Sequence, residues 1–281
     1  MNDEWDITSA DESLQQGDLL LSRDPKTGIV HDVCVVITAD CDLAHHKFGK
    51  QIACLRITSL RDYLGAHWAE RKLRRSLHSE TEKILEQLNK WNAERDSHAR
   101  PLSPDAITTW IKRCEPDEVC QELRIPADAR DKLRTTIARF RNAILTLESE
   151  EFANYFVRLM EFRAAATGKT RDVCLQEIVK QAQNDTLPDD IFLLPDLPHL
   201  PDFGPAVVLL RDLFGLPFCS ICLRSSDANS REHFLRLGTL LPTIKYALSQ
   251  AFGMLYARIG LPEIYEHRKK AAIDKINAFQ W

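Results

Sequence analysis

The stretch Gly17-Asp18-Leu19-Leu20-Leu21-Ser22-Arg23-Asp24-Pro25-Lys26-Thr27-Gly28-Ile29-Val30-His31-Asp32-Val33-Cys34-Val35-Val36-Ile37-Thr38 decides the fold class. Two apolar runs flank Asp24-Pro25-Lys26-Thr27-Gly28, which is turn chemistry. The second run is dense in β-branched residues and nearly unbroken, as a strand buried on both faces requires. Asp40-Cys41-Asp42 closes it, and Gln51-Ile52-Ala53-Cys54-Leu55-Arg56-Ile57 reads as a third strand. Residues 16–58 are therefore expected to form three strands with short connections.

Outward from this core the periodicity changes. Residues 66–95 carry Leu77, Ile84, Leu88 and Trp91 at helical spacing. Ser103 before Pro104 is a cap followed by a first-turn proline. Leu133, Ile137, Phe140 and Ile144 make one helical face over residues 126–146. Phe152, Phe156 and Leu159 continue the helical pattern to a stop at Gly168, and Thr170 caps a helix running to about residue 183. The acidic run Glu148-Ser149-Glu150-Glu151 suits a helix N-terminus, where negative charge is favourable.

Strand signals return at Ile191-Phe192-Leu193-Leu194, Ala206-Val207-Val208-Leu209-Leu210 and Phe218-Cys219-Ser220-Ile221-Cys222-Leu223. A long helix is expected from Pro242, with Ile244, Leu248, Phe252, Leu255 and Ile259 on its buried face and Gly260 and Pro262 ending it. Residues 265–279 suit a last amphipathic helix; Arg258, His267-Arg268-Lys269-Lys270, Phe279 and Trp281 make that end a possible partner surface or a flap onto the core. The expected class is α+β: one small β-barrel or sheet split by a long helical insert, with a C-terminal helical segment. The expected divisions are a flexible acidic tail over 1–15, the first β portion over 16–62, a helical subdomain over 63–187, and the second β portion with C-terminal helices over 188–281. One sheet is favoured over two, because a three-strand unit has little core of its own.

Hydrophobic residues make up 44% and charged residues 28% of the 281, which places the chain among ordinary globular proteins. A net charge of −4 argues against coating nucleic acid through bulk charge. The opening Met1-Asn2-Asp3-Glu4-Trp5-Asp6 is acidic, unlike a secretory leader, and no apolar run reaches membrane-spanning length. The expectation is a cytoplasmic chain with no membrane association, whose eight cysteines are reduced thiols. Phosphate-binding glycine loops, GxSxG, HExxH and paired metal-binding carboxylates are all missing from the sequence, so no cofactor is expected.

The densest polar cluster is Asp40-Cys41-Asp42-Leu43-Ala44-His45-His46-Lys47, just beyond a strand end. One reading makes it catalytic: Cys41 as nucleophile, or Asp40, Asp42, His45 or His46 as general base toward a ribose hydroxyl, with Lys47 on phosphate. The other makes it a polar turn whose aspartates cap loose backbone groups. Cys219-x-x-Cys222 has no second pair to complete a zinc site, and His45, His46 and His233 are distant in sequence, so no metal is expected. Arg71, Lys72, Arg74, Arg75 and Lys83 beside Trp68 and Trp91 suit a phosphate-contacting face with tryptophan for base stacking. The interleaved Glu70, Glu80, Glu82 and Glu86 equally suit a solvated helix face.

Gly17-Asp18 leading a strand, and the longer run Val35-Val36-Ile37-Thr38 after it, resemble the start of the PemK/MazF-type toxin barrel, a small SH3-like fold. The resemblance covers residues 16–58. It implies a ribonuclease that cleaves RNA without metal, using an arginine at the start of the second strand and a Ser or Thr at its end. Thr38 fits the latter, while His31 and Asp32 stand where the arginine belongs. Over a longer span, Cys41-Asp42-Leu43, Phe192-Leu193-Leu194-Pro195 and Arg258-Ile259-Gly260-Leu261-Pro262 resemble a group of bacterial proteins encoded near stress or defence genes. The incomplete pair leads to a first expectation of a non-enzymatic binding or regulatory component of such a system, with a protein partner encoded nearby. A metal-independent endoribonuclease and an RNA- or DNA-binding module are the alternatives.

Overall fold

Successive side chains along a strand point to opposite faces of a sheet, so an unbroken apolar run needs both faces covered. The computed structural model describes residues 4–9, 11–148, 154–230 and 232–257. Its strands are β1 (Trp5–Asp6), β2 (Asp18–Arg23), β3 (Val30–Val36), β4 (Gln51–Ser59), β5 (Ile191–Leu194), β6 (Ala206–Pro217), β7 (Ile221–Cys222) and β8 (Phe234–Leu240). Its helices are α1 (Asp40–Ala44), α2 (Leu60–Tyr63), α3 (Ala69–Arg95), α4 (Pro104–Arg113), α5 (Pro116–Glu122), α6 (Ala127–Glu148), α7 (Tyr155–Thr167), α8 (Arg171–Asn184) and α9 (Pro242–Ala257), with a π turn over Leu64–Trp68 joining α2 to α3. The chain is α+β and divides into two units, Met1–Leu60 with Leu187–Trp281, and Arg61–Thr186.

The first unit is built on a curled antiparallel half-barrel with strand order β1-β8-β2-β3-β4-β6-β5, to which β7 adds in parallel beside β8. Strand alternation splits the apolar runs cleanly between two cores. Leu19, Leu21, Val33, Val35, Leu55, Ile57, Val208 and Leu210 face one side, where Leu248 and Leu255 of α9 cover them. Leu20, Cys34, Val36, Ile52, Cys54 and Leu216 face the other, under Leu43 of α1, Leu14 and Phe48. Register shifts at Leu19/Leu20, Ser22/Arg23 and Leu55/Ile57 add the local twist that curls the sheet. Gly238 lets β1 approach β8 closely: a Cβ there would lie 2.6 Å from the Asp6 carbonyl oxygen.

Four expectations need correction. Residues 1–15 do not form only a frayed tail: Trp5 and Asp6 pair with Leu240 and Thr239, and the indole of Trp5 donates to Asp196 at 2.7 Å. Phe218–Ser220 is a 3-10 turn, leaving only Ile221–Cys222 as strand, while β6 runs on to Pro217. β8, which no sequence pattern announced, is an interior strand of the sheet, between β1 and β2. Glu148 closes α6, and the next helix starts from Asn154, whose side chain accepts from Val157 N at 3.0 Å. The expected helix over 265–279, and the residues from Arg258 through Pro262 to Trp281, lie outside the described residues.

The second unit follows its helical face patterns. Ile84 and Leu88 of α3, Ile107 and Ile111 of α4, Val119 of α5, and Leu133, Ile137, Phe140 and Ile144 of α6 share one core. Ser103 and Thr170 cap α4 and α8 through their side chains, and Gly168 ends α7 at φ 73°, a left-handed position that suits glycine. Among the described residues no helix is long and apolar enough to cross a membrane.

All eight cysteines are free, and only Cys41 and Cys219 are exposed. Cys34 lies sealed in the sheet, where its hydrogen bond with Cys54 and then its burial push the thiol up; burial does the same to Cys120. Titration of the native protein with a chromogenic disulfide at pH 8 is expected to consume Cys41 and Cys219 fast, with Cys34 and Cys120 reacting only on denaturation. Prompt reaction of Cys34, read by peptide mapping, would mean that the sheet opens.

Candidate functional site

A buried charge pair fixes the surroundings of the Asp40–Lys47 segment. Gly17 adopts φ 89° and turns the chain into β2, and Asp18 enters the core with no exposed surface. Its carboxylate accepts from Gln15 N at 2.8 Å, from Thr239 Oγ1, and from Arg236 Nη1 at 3.4 Å. The side chains of Asp18 and Arg236 are 0% and 2% exposed, so neither charge has water to fall back on. Arg236 also donates to the carbonyls of Ser9, Glu12 and Ser13, which bolts the segment before β2 onto β8. Burial raises the Asp18 pKa from 3.8, ahead of the opposing bonds from Thr239 and Gln15. The folded chain therefore holds that proton more tightly than the unfolded chain. This group favours folding most below the unfolded value and progressively less as pH rises through the folded one.

A second pair fixes α1. Asp40 Oδ1 accepts from Gln16 N at 2.7 Å and Oδ2 from Lys245 Nζ at 2.9 Å. Lys245 is buried against Gly17, and Gln16 Nε2 donates to Ser249 Oγ at 3.0 Å. Segment 11–16, α1 and α9 thus meet around one salt bridge. Leu43 anchors α1 into the core below. His46 sits at φ 52° and its ring meets Phe48 at 5.7 Å and the edge of Phe218 at 6.2 Å. Between these parts lies a cleft of about 760 Å³ lined by Asp11, Glu12, Leu14, Asp40, His46 and Phe218 among others.

Of the residues singled out from sequence, the structure brings Asp40 and His46 to this cleft. Thr38 is tied to the sheet: its Oγ1 accepts from Ala53 N at 2.7 Å. Cys41 is exposed, with its thiol 3.8 Å from Asp42 Oδ1, and the Lys47 amide donates to the Asp42 carbonyl at 2.8 Å. His45 ends the short helix, its amide bonded to the Cys41 carbonyl at 3.2 Å. Cys41, Asp42, His45 and Lys47 do not line the cleft with Asp40 and His46. Among the described residues no three His, Cys, Asp or Glu side chains are grouped to hold a metal ion.

Three residues of this neighbourhood escaped the sequence reading: Arg56, Arg236 and Lys245. Arg56 stands on β4, where its guanidinium pairs with Asp32 and, at 3.1 Å, with Asp212, and lies 5.1 Å from the Phe214 ring centroid. An arginine therefore does reach Asp32, but two carboxylates already hold it. The signal available in sequence was a lone Arg in an otherwise apolar strand, a position that demands a partner.

In the helical unit, Trp68 is not on an open basic face. It is 5% exposed, packs near Phe156 at 6.3 Å, and donates its indole N–H to Asp185 at 2.9 Å. Base stacking is denied to it by that burial. Lys72 pairs with the same Asp185 at 2.6 Å, and its hydrogen bond is the leading cause that holds the Asp185 carboxyl below the usual range. Arg71 donates to the Tyr63 hydroxyl, and Arg74 pairs with Glu70 at 2.6 Å. Arg75 is exposed and, among the described residues, enters no ion pair within 4.0 Å.

The comparisons with known proteins give no neighbour to lean on: no family model, no curated protein and no solved structure matches this chain.

Asp18→Ala is expected to lower the unfolding free energy by about 3–5 kcal/mol in urea titrations, because Arg236 is left charged and buried without its partner. A loss below about 1 kcal/mol would mean that the carbonyls alone satisfy Arg236.

Proposed function

We propose that this chain is a non-enzymatic binding component of a bacterial stress or anti-phage defence system. In this reading the curled sheet is a divergent SH3-like barrel of the PemK/MazF type, the helices between β4 and β5 are its insert, and the chain works in the cytoplasm beside a partner encoded nearby. The observation that carries the reading is the character of the cleft beside α1. Its lining includes two exposed carboxylates, Glu12 and Asp11, the latter also paired with Arg224 at 3.1 Å, together with the aromatic rings of His46 and Phe218, and Phe48 packs 5.0 Å from the Phe218 ring. Negative walls repel an RNA backbone and favour a cationic segment. An aromatic lining suits an apolar anchor from a partner protein.

Two features weigh against the ribonuclease reading. Thr38, expected at the end of the catalytic strand, has its hydroxyl oxygen held as acceptor by the Ala53 amide. Arg56, which reaches Asp32 where the toxin arginine is expected, is held by Asp32 and Asp212. The occupant we infer is a basic segment of a protein partner with one large apolar side chain, bound with Lys or Arg against Asp11 and Glu12.

The test is calorimetric titration of the full chain with each purified product of the genes flanking its own. One of them is expected to bind at a fixed stoichiometry, more weakly at higher salt, and at least about tenfold more weakly to an Asp11→Lys, Glu12→Lys variant. Failure of every flanking product to bind would overturn the reading. So would cleavage of an RNA pool in the presence of chelator that is lost in His46→Ala.

A further inference from the structure

The helical unit contains a second cavity, of about 510 Å³, that the cleft beside α1 does not involve. One face of α3 supplies Lys72, Arg75, Ser76 and Ser79, at helical offsets of three and four. Arg163 of α7 enters from the facing wall. The charge balance of this cavity is set by which groups already have partners. Lys72 is committed to Asp185. The two wall carboxylates are committed as well, Glu80 to Lys83 at 2.7 Å and Glu177 to Lys169 at 2.6 Å. Arg75 and Arg163 remain, and among the described residues neither has a carboxylate within ion-pair distance.

Arg163 is the sharper of the two. A guanidinium carries five N–H donors in a planar fork. The one side-chain bond seen for Arg163 runs from Nη2 to Gln181 Oε1 at 2.8 Å. The head is half-buried, and burial lowers its pKa without discharging it. Glu177, on the same wall, acts on Arg163 at longer range without pairing to it, and a charged fork with donors to spare is an arrangement that phosphate and carboxylate groups complete bidentately.

We propose that this cavity is a binding site for a small phosphomonoester, with Arg163 and Arg75 on the phosphate and the hydroxyls of Ser76 and Ser79 beside it. A phosphate of this kind carries about −1.5 to −2 charges at neutral pH, which matches two guanidinium groups that lack an ion pair within 4.0 Å better than a single carboxylate does. The volume falls within the range of about 300–1,000 Å³ typical of small-molecule sites, enough for a ligand of mononucleotide size. An extended RNA strand fits the surroundings less well. Trp68 is buried and cannot stack on a base.

The experiment uses the full chain in a buffer free of phosphate and sulfate. Inorganic phosphate, pyrophosphate, 5′-AMP, adenosine, acetate and a short single-stranded RNA are each titrated by calorimetry. Phosphate-bearing small molecules are expected to bind while adenosine and acetate do not. Arg163→Gln and Arg75→Gln are each expected to weaken that binding at least about tenfold. Arg75 is exposed, so Arg75→Gln is also expected to keep the ligand-free unfolding midpoint, which guards against a loss caused by misfolding. The proposal is overturned if no phosphate-bearing probe binds at millimolar concentration, or if Arg75→Gln and Arg163→Gln both bind as the parent does. It is also overturned if the RNA binds more tightly than every small phosphate and competes for the same arginines.

Discussion

The buried pair between Asp18 and Arg236 is the contact that holds the segment before β2 on the sheet, and the cleft beside α1 depends on it. Two charges taken out of water are stable only if their remaining donors and lone pairs are met. Here Thr239, the Gln15 amide and three carbonyls from residues 9, 12 and 13 meet them. That requirement pulls a polar segment with little apolar content onto the edge of β2 and β8. Once it is there, Gln16 N is placed to hold Asp40, and Lys245 closes the arrangement from α9. The cleft is the space left between these parts. Its acidic wall follows from which residues happen to flank the bolted carbonyls.

The function proposed for this chain rests on its surfaces. Of the polar groups in the run from Thr38 to Lys47, some serve the fold, and Cys41, Asp42, His45 and Lys47 do not line the cleft. Asp40 is a structural anion, Thr38 a sheet cap, and His46 an aromatic neighbour of Phe48 and Phe218. Charged groups line the cavities: the carboxylates of Asp11, which Arg224 partly holds, and Glu12 at one, and the guanidinium groups of Arg75 and Arg163 at the other. The two cavities have opposite character, one acidic with an aromatic lining, the other cationic and lined by hydroxyls. They sit in different units of the chain. As proposed, a protein partner occupies the first and a small anionic ligand the second.

Much of the fold was legible because it rests on local pattern. The apolar runs of β2, β3 and β4 announce strands covered on both sides, and the Leu133–Ile137–Phe140–Ile144 stripe announces α6. Ser103, Thr170 and Gly168 mark helix ends through bonds that span only a few residues. What escaped was set by distant partners. β8 reads Phe-Leu-Arg-Leu-Gly-Thr-Leu, and its arginine and glycine break the strand signal. Arg236 is tolerable there only because Asp18, 218 positions earlier, receives it, and Gly238 only because β1 needs the space. Trp68 is withdrawn from the surface by Asp185, 117 positions later. The cleft was half legible: the 40–47 run marked one wall, while the opposite wall lay in a segment that reads as a tail.

The most direct test of this account is hydrogen exchange read by mass spectrometry on Arg236→Met beside the parent chain. The side-chain volume is roughly kept while the charge and its carbonyl bonds are removed. The expected result is that amides of residues 11–16 lose protection at once, while β4 and β6 stay protected, because only the bolted segment has lost its anchor. Unchanged protection across 11–16 in a folded variant would contradict the account, since the segment would then be held by something other than the buried pair.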